Sequence, residues 1–237
     1  MSPIAANLQV VKRRISEALQ GDRRAITLVA VSKTRPAGDV RVAFDAGCRD
    51  FGENYVQDAL PKIAALAGLP LAWHFIGSLQ TNKAKDVAEH FDWFHAVDRA
   101  KIAQALSRHR PASQAPLQVC IQVNISREAT KSGVTGEEVV PLAREVASLP
   151  RLALRGLMGM ASPTDDVAKQ RREFAQLRGA FENLRAEGFD VDTLSMGMTQ
   201  DFEAALAEGS TMVRIGTAIF GKRDPLPGPL PREREQA

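Results

Sequence analysis

Short apolar runs alternate with longer amphipathic stretches along most of the chain, and this alternation restricts the possible folds more than any other feature. The apolar runs are rich in branched residues and end at turn-forming residues, as strands of parallel sheets do when both of their faces are buried. The eight predicted strands comprise residues 27–32, 50–52, 72–76, 93–97, 117–124, 152–158, 193–195 and 212–215.

The amphipathic stretches predict one helix before the first strand and one helix between each pair of successive strands. Several begin with Asp or Thr, which favour helix N-caps. The predicted helices comprise residues 3–19, 38–46, 55–67, 83–90, 99–108, 136–148, 165–187 and 201–208. Eight parallel strands with intervening helices predict an α/β fold, a single (β/α)8 TIM-type barrel with an extra N-terminal helix. A length of 237 residues suits one such domain.

The C-terminal end of the chain differs from the rest. Residues 224–237 contain closely spaced prolines followed by charged residues, and this composition suits neither a helix nor a paired strand. We therefore predict a barrel domain over residues 1–223 and a disordered, proline-rich tail over residues 224–237.

Charge and cysteine content limit the classes of function. The formal net charge is +3 and the charged residues are well mixed, so nucleic-acid binding is not expected. Cys48 and Cys120 lie far apart without metal-site spacing, which indicates reduced thiols. No stretch resembles a signal peptide or a membrane span, so we expect a cytoplasmic protein without membrane contact.

Lys33 stands where the first predicted strand ends and a proline turn begins. One interpretation is a lysine whose ammonium group reaches from the strand end into water. The other is a Schiff-base lysine, whose desolvated amine loses its proton and attacks an aldehyde. In a barrel, the carboxyl ends of the strands surround the functional site, so the second interpretation places Lys33 in the barrel mouth.

Other strand ends also carry polar residues. Asn54 follows the second strand at the end where barrels place their chemistry, although it could also cap a helix. Glu53 and His74 are more simply explained as a loop carboxylate and as a core imidazole bonded to a carbonyl.

Small and hydroxyl-bearing residues follow the seventh and eighth strands, where many barrels bind phosphate. The hydroxyls of Ser195 and Thr217, with the backbone N–H groups of Gly216 and Thr217, could surround a phosphate group. The alternative is a pair of ordinary turns.

Five sequence blocks, in this order, resemble the pyridoxal-phosphate homeostasis proteins, which are single-domain relatives of the alanine racemase barrel. The blocks are VAVSK at 29–33, FGEN at 51–54, HFIG with LQ-NK at 74–83, LSMGM at 194–198 and MVRIGTAIFG at 212–221. The resemblance covers residues 8–221, and it departs from the family pattern at Ser78 and at 159–160, so it gives Ser78 and Met160 no role.

The resemblance implies that the cofactor is pyridoxal 5′-phosphate (PLP), held as an aldimine by Lys33. It implies that Ser195, Gly216 and Thr217 hold the phosphate, that Arg214 lies beside the pyridine ring, and that Asn54 belongs to the binding site. An arginine partner leaves the ring nitrogen unprotonated and makes the ring a weaker electron sink. Racemases that the chain resembles add a tyrosine base from a second domain, whereas this chain offers only Tyr55.

Three functions remain open at this point. The first, which the five blocks favour, is a non-catalytic PLP-binding protein that maintains the intracellular PLP supply as a monomer and passes PLP to apo forms of PLP-dependent enzymes. The second is an amino-acid racemase, in which Tyr55 or His74 would have to be the opposing base. The third is a phosphate-binding barrel enzyme without a cofactor, in which Lys33 is an electrostatic clamp.

Overall fold

A computed structural model describes residues 2–126, 128 and 132–222. Eight parallel strands form a closed barrel in chain order, with β1 hydrogen-bonded to both β2 and β8. The strands are β1 (Thr27–Val31), β2 (Asp50–Glu53), β3 (Ala72–Phe75), β4 (Trp93–Val97), β5 (Leu117–Val123), β6 (Leu152–Gly159), β7 (Thr193–Ser195) and β8 (Met212–Ile215). The predicted (β/α)8 fold is confirmed, and strand boundaries differ from the predictions by at most one residue.

Nine α-helices lie in the described part of the chain and surround the barrel. They are α1 (Pro3–Ala18), α2 (Ala37–Asp45), α3 (Val56–Ala65), α4 (Ala84–His90), α5 (Ala100–His109), α6 (Val139–Ser148), α7 (Val167–Ala186), α8 (Phe202–Ala207) and α9 (Thr217–Phe220). Two of the predicted helices begin with short 3₁₀ turns, Thr81–Lys83 before α4 and Gly136–Glu138 before α6. None of the helices in the described ranges is long and apolar enough to cross a membrane.

The N-terminal helix α1 lies in the outer layer of helices, beside the short α9. Its N-cap is Ser2, whose hydroxyl accepts from the Ala5 N–H, and Pro3 follows at the first helical position. The helix packs against α9, α2 and α8, and the Asn7 side chain donates to the Ile219 carbonyl at 3.0 Å. The extra helix predicted from sequence therefore completes the outer layer.

The sequence did not predict α9. Residues 212–221 form one mainly apolar run, and such a run does not show by periodicity where a strand ends and a helix begins. The predicted tail at 224–237 lies outside the described residues, so its predicted disorder stays a prediction.

Candidate functional site

A cavity of about 650 Å³ opens at the carboxyl ends of the strands. This is the end where TIM-type barrels carry their functional loops, and the volume is typical of small-molecule sites. Most lining residues come from the ends of β1, β2, β3, β5, β6, β7 and β8 and from the loops that follow them, while Gln170 is on α7 and Thr217 begins α9. The full set is Val31, Lys33, Asn54, Ile76, Ser78, Gln122, Ser132, Met158, Met160, Ala161, Ser162, Pro163, Thr164, Gln170, Met198, Thr199, Gln200, Asp201, Arg214, Gly216 and Thr217.

Lys33 lies in the cavity wall directly after β1, as predicted, and is partly buried. The next residue, Thr34, has a φ of +66°, a conformation that is strained for a branched side chain. The Arg35 N–H closes this turn by donating to the Ser32 carbonyl at 3.0 Å. The turn therefore ends the strand sharply and leaves the lysine at the mouth of the barrel.

A buried ion pair holds the backbone beside Lys33. Lys62, on α3, donates from Nζ to Glu53 Oε1 at 2.6 Å and to the Ser32 carbonyl at 2.9 Å. The Ser32 hydroxyl donates to the same Glu53 oxygen at 2.5 Å, and the other carboxylate oxygen is buried without a hydrogen-bond partner. Burial raises the pKa of the Glu53 carboxyl above its ordinary value, while Lys62 and Ser32 oppose that rise. This cluster joins the end of β1 to the end of β2.

Asn54 lies in the cavity wall, and its side-chain oxygen is buried without a hydrogen-bond partner. The backbone of Gly77, after β3, packs against it: a Cβ atom on Gly77 would lie 2.3 Å from the Asn54 carbonyl oxygen. Only glycine permits that approach. Asn54 therefore holds a fixed place in the wall, with a side-chain oxygen that no protein donor satisfies.

The loop after β7 reaches the cavity through a sharp turn at Gly197, where φ is +97° and a Cβ atom would lie 2.7 Å from the Ala205 Cβ. Beyond the turn, Thr199 and Asp201 line the cavity. Asp201 Oδ1 accepts from the Met198 N–H at 2.5 Å, and burial raises the pKa of its carboxyl. Sequence reasoning missed both residues, although the glycine before them signals the turn.

Arg214 lies at the base of the cavity on β8 and is almost fully buried. Its guanidinium donates from Nη1 to the Ser195 hydroxyl oxygen at 2.6 Å and from Nη2 to the Gly159 carbonyl at 3.2 Å. Burial lowers its pKa to about 10, so it remains a cation at neutral pH. Gly216 and Thr217 follow in the wall, where β8 leads into α9.

Five of the six predicted binding residues therefore meet in one cavity. The sixth, Ser195, is fully buried within the barrel, and its hydroxyl contacts Arg214 and His95 rather than the cavity wall. Its direct contact with a phosphate group stays a prediction. Ser78 and Met160 were not expected to line the mouth of the barrel, but the structure places both in the cavity wall.

The two residues considered as racemase bases lie elsewhere. Tyr55 is 54% exposed, and His74 is fully buried inside the barrel between Asp50 and His95. Neither belongs to the cavity wall formed by the described residues. The prediction of His74 as a core imidazole agrees with this position, but the predicted carbonyl partner is wrong, because both ring nitrogens contact side chains.

Comparison with known proteins supports the resemblance. The family model of the alanine racemase N-terminal domain matches residues 1–224. A pyridoxal phosphate homeostasis protein from Pseudomonas aeruginosa is 56% identical over 227 residues, which cover 94% of this chain and 97% of that protein.

Solved structures agree with this assignment. The structure of PipY from Synechococcus elongatus with PLP bound has a TM-score of 0.81 and 35% identity, and the match covers 92% of this chain and all of that one. An alanine racemase from Corynebacterium glutamicum shares the fold, with a TM-score of 0.69 and 18% identity. That match covers 93% of this chain and 61% of the racemase chain. The chain therefore belongs to the alanine racemase N-terminal domain family, and within it to the pyridoxal phosphate homeostasis proteins.

Proposed function

We propose that this chain binds pyridoxal 5′-phosphate covalently at Lys33 and keeps it available to other proteins without efficient turnover of a substrate. The observation that carries the proposal is the convergence of Lys33, Asn54, Arg214, Gly216 and Thr217 on one cavity at the functional end of the barrel. The homeostasis proteins that the chain resembles and the PLP bound to PipY support the same ligand.

The cavity provides groups that match each end of the cofactor. When bound, PLP supplies an aldehyde that condenses with a primary amine, and Lys33 provides that amine in the wall. At the β8 end, the Thr217 hydroxyl and the backbone N–H groups of Thr217 and Ala218 can donate to a phosphate. The next two N–H groups of α9 already donate to the Gly216 carbonyl. Thr199 adds a second hydroxyl to the wall.

Arg214 and Asn54 suit the remaining polar atoms of the cofactor. A guanidinium only donates hydrogen bonds, so Arg214 suits an unprotonated ring nitrogen. The side-chain oxygen of Asn54 has no protein partner, and a rotation of this side chain in the wall would let it accept from a ligand hydroxyl or amine. The hydrogen-bond donors and the acceptor that the cavity residues carry therefore match the polar atoms of PLP.

The cavity wall opposite Lys33 argues against racemisation. Removing and returning a proton on both faces of a substrate carbon requires a second titratable group across the cavity from the lysine. Among the described lining residues, the titratable ones are Lys33, Asp201 and Arg214, and β7, β8 and β1 are neighbouring strands. The described residues contributed by β5 and β6 offer amides, hydroxyls and thioethers instead.

The proposed cellular role follows from binding without turnover. The barrel, over residues 1–223, would act in the cytoplasm as a monomer, with apo PLP-dependent enzymes as recipients of the cofactor. Nucleic acid and membrane have no part in this role. Condensation at a lysine is reversible, so a second amine on a recipient protein can displace Lys33.

Borohydride reduction tests the attachment site. Treatment of the PLP-loaded protein should leave a pyridoxyl mass on the peptide that contains Lys33, and Lys33→Ala should lose both the label and the visible absorption. Lys83→Ala is the matched control, because Lys83 is exposed and lies outside the cavity wall. Labelling mainly at Lys83 or Lys131 would show that Lys33 is not the attachment point.

Isotope exchange tests the absence of turnover. The loaded protein, incubated with L-alanine and other amino acids in deuterated water, should leave the α-hydrogen in place. A mixture with an apo PLP-dependent enzyme should restore that enzyme's activity. Exchange with racemisation at rates typical of enzymes, about 1 to 1,000 per second, would favour the racemase instead.

A further inference from the structure

A continuous chain of hydrogen-bonded side chains crosses the interior of the barrel and ends at the cavity. His74 Nε2 lies 3.0 Å from Asp50 Oδ1, and His74 Nδ1 lies 2.9 Å from His95 Nε2. His95 Nδ1 in turn lies 2.9 Å from the Ser195 hydroxyl oxygen, which accepts from Arg214 Nη1 at 2.6 Å. The five residues come from β2, β3, β4, β7 and β8. We call them the interior chain.

The donor in each of these bonds follows from the chemistry of the two ends. The Asp50 carboxylate only accepts, so a neutral His74 carries its proton on Nε2 and accepts at Nδ1. His95 must then donate from Nε2 and accept at Nδ1, which leaves the Ser195 hydroxyl to donate to His95. Arg214 only donates, and the Ser195 oxygen is free to accept from it. The Asp50 end therefore sets the direction and the Arg214 end is compatible with it, with every donor pointing away from the cavity.

Burial stabilises this arrangement of donors and acceptors. Barrel interiors are ordinarily filled by branched apolar side chains, whereas His74, His95 and Ser195 are all fully buried here. Burial lowers the pKa of His95 well below its ordinary value. A neutral His95 can accept from Ser195, whereas a doubly protonated one cannot.

We propose that His95 is a positioning residue for the cofactor site: it draws the Ser195 hydroxyl proton away from the cavity, so that the Ser195 oxygen always faces Arg214 and fixes the guanidinium. His74 and Asp50 keep His95 in the tautomer that this task requires. The inference rests on the proposed function and deepens it, because neither His95 nor Ser195 lines the cavity, yet both set how Arg214 meets the ring of PLP.

Two hydrogen bonds orient the guanidinium of Arg214. Nη1 is held by Ser195 and Nη2 by the Gly159 carbonyl, so two contacts on different strands fix the plane of the guanidinium. Without His95 as acceptor, the Ser195 hydroxyl can rotate, and one of these two contacts is no longer enforced. The effect should appear at the ring nitrogen and not at Lys33 or the phosphate.

Two ligands separate this role from a merely structural one. PLP and an analogue with C–H in place of the ring nitrogen share the aldehyde and the phosphate, so the ratio of their affinities reports the contact to the nitrogen alone. The variants are His95→Leu, which removes the acceptor, His95→Asn, whose side-chain oxygen replaces Nδ1 as acceptor, and Ser195→Ala. Affinities are measured by absorbance titration of each folded protein.

We expect wild type to prefer PLP over the analogue. His95→Leu and Ser195→Ala should reduce that preference by roughly two- to thirtyfold, the range reported for residues coupled through a network without ligand contact, and His95→Asn should retain it. An unchanged ratio in both His95→Leu and Ser195→Ala, or no preference in wild type, overturns the inference and leaves the proposed function intact. Failure of wild type to bind either ligand overturns the proposed function itself.

Nitrogen-15 NMR tests the same assignment in the unmodified chain, which contains four histidines. The chemical shifts of His95 should show a protonated Nε2 and an unprotonated Nδ1, and those of His74 the same tautomer. The reverse tautomer at His95 would mean that Ser195 does not donate to it, and the inference would fail even if no variant could be purified.

Discussion

Replacing Lys62 by methionine should destabilise the barrel by about 3–5 kcal/mol, the usual cost of removing one partner of a buried ion pair. Lys62 Nζ lies 2.6 Å from Glu53 Oε1, the side chain of Lys62 is 9% exposed and that of Glu53 is fully buried. Methionine preserves most of the apolar length of the lysine side chain, so the loss comes mainly from the carboxylate left without its cation. Such a loss is large against a typical unfolding free energy of about 5–15 kcal/mol.

The cost should depend on pH. Without Lys62, mainly the Ser32 hydrogen bond opposes the rise that burial causes in the pKa of Glu53. The pKa of Glu53 in the folded variant therefore rises further above its unfolded value of about 4.3. A raised folded-state pKa means that stability is retained below the unfolded pKa and lost as the pH rises through the folded pKa. The deficit relative to wild type should therefore be larger at pH 8 than at pH 5.5.

Urea unfolding followed by tryptophan fluorescence measures both effects, since Trp73 and Trp93 are buried in barrel strands. Lys85→Met is the matched control: Lys85 is 63% exposed and lies 3.8 Å from Glu89, so its loss should cost less than about 1 kcal/mol. Adding Glu53→Gln to Lys62→Met should recover stability at pH 8, because the amide carries no charge. A Lys62→Met cost below about 1 kcal/mol at pH 8, or an equal cost at both pH values, would refute the reasoning.

Three further changes test other parts of the structure. Thr217→Ala should weaken PLP binding about ten- to a hundredfold, the value of one charge-assisted hydrogen bond, and should leave the binding of unphosphorylated pyridoxal nearly unchanged in the same titration. Gly77→Ala should cost about 1–3 kcal/mol in urea unfolding, because its Cβ would lie 2.3 Å from the Asn54 carbonyl oxygen, whereas Gly38→Ala, with open space at its Cβ, should not destabilise. Cys120 should resist a thiol reagent at pH 8 until the protein unfolds, because burial raises its pKa to about 12. Labelling at Cys120 in the native protein would contradict that burial.

The sequence by itself determined the barrel and the positions of five candidate binding residues. Eight apolar runs separated by amphipathic stretches leave few alternatives to a closed parallel barrel, and the strand ends then identify the face that carries function. Four of these residues follow such runs and Arg214 lies within the last run, so their convergence on one cavity could be predicted from the sequence. The four are Lys33, Asn54, Gly216 and Thr217.

Only the tertiary structure decided which side chains reach the cavity and which remain inside the barrel. Ser195 and Thr217 look equivalent in sequence, as hydroxyls near the ends of β7 and β8, but Ser195 lies within the barrel and Thr217 in the cavity wall. The reason is that the direction of a side chain depends on strand register and tilt, which local sequence does not encode. The same holds for Lys62, which the sequence places on an amphipathic helix and the fold places beside Glu53. The interior chain from Asp50 to Arg214 joins five strands, so it exists only once the barrel has closed.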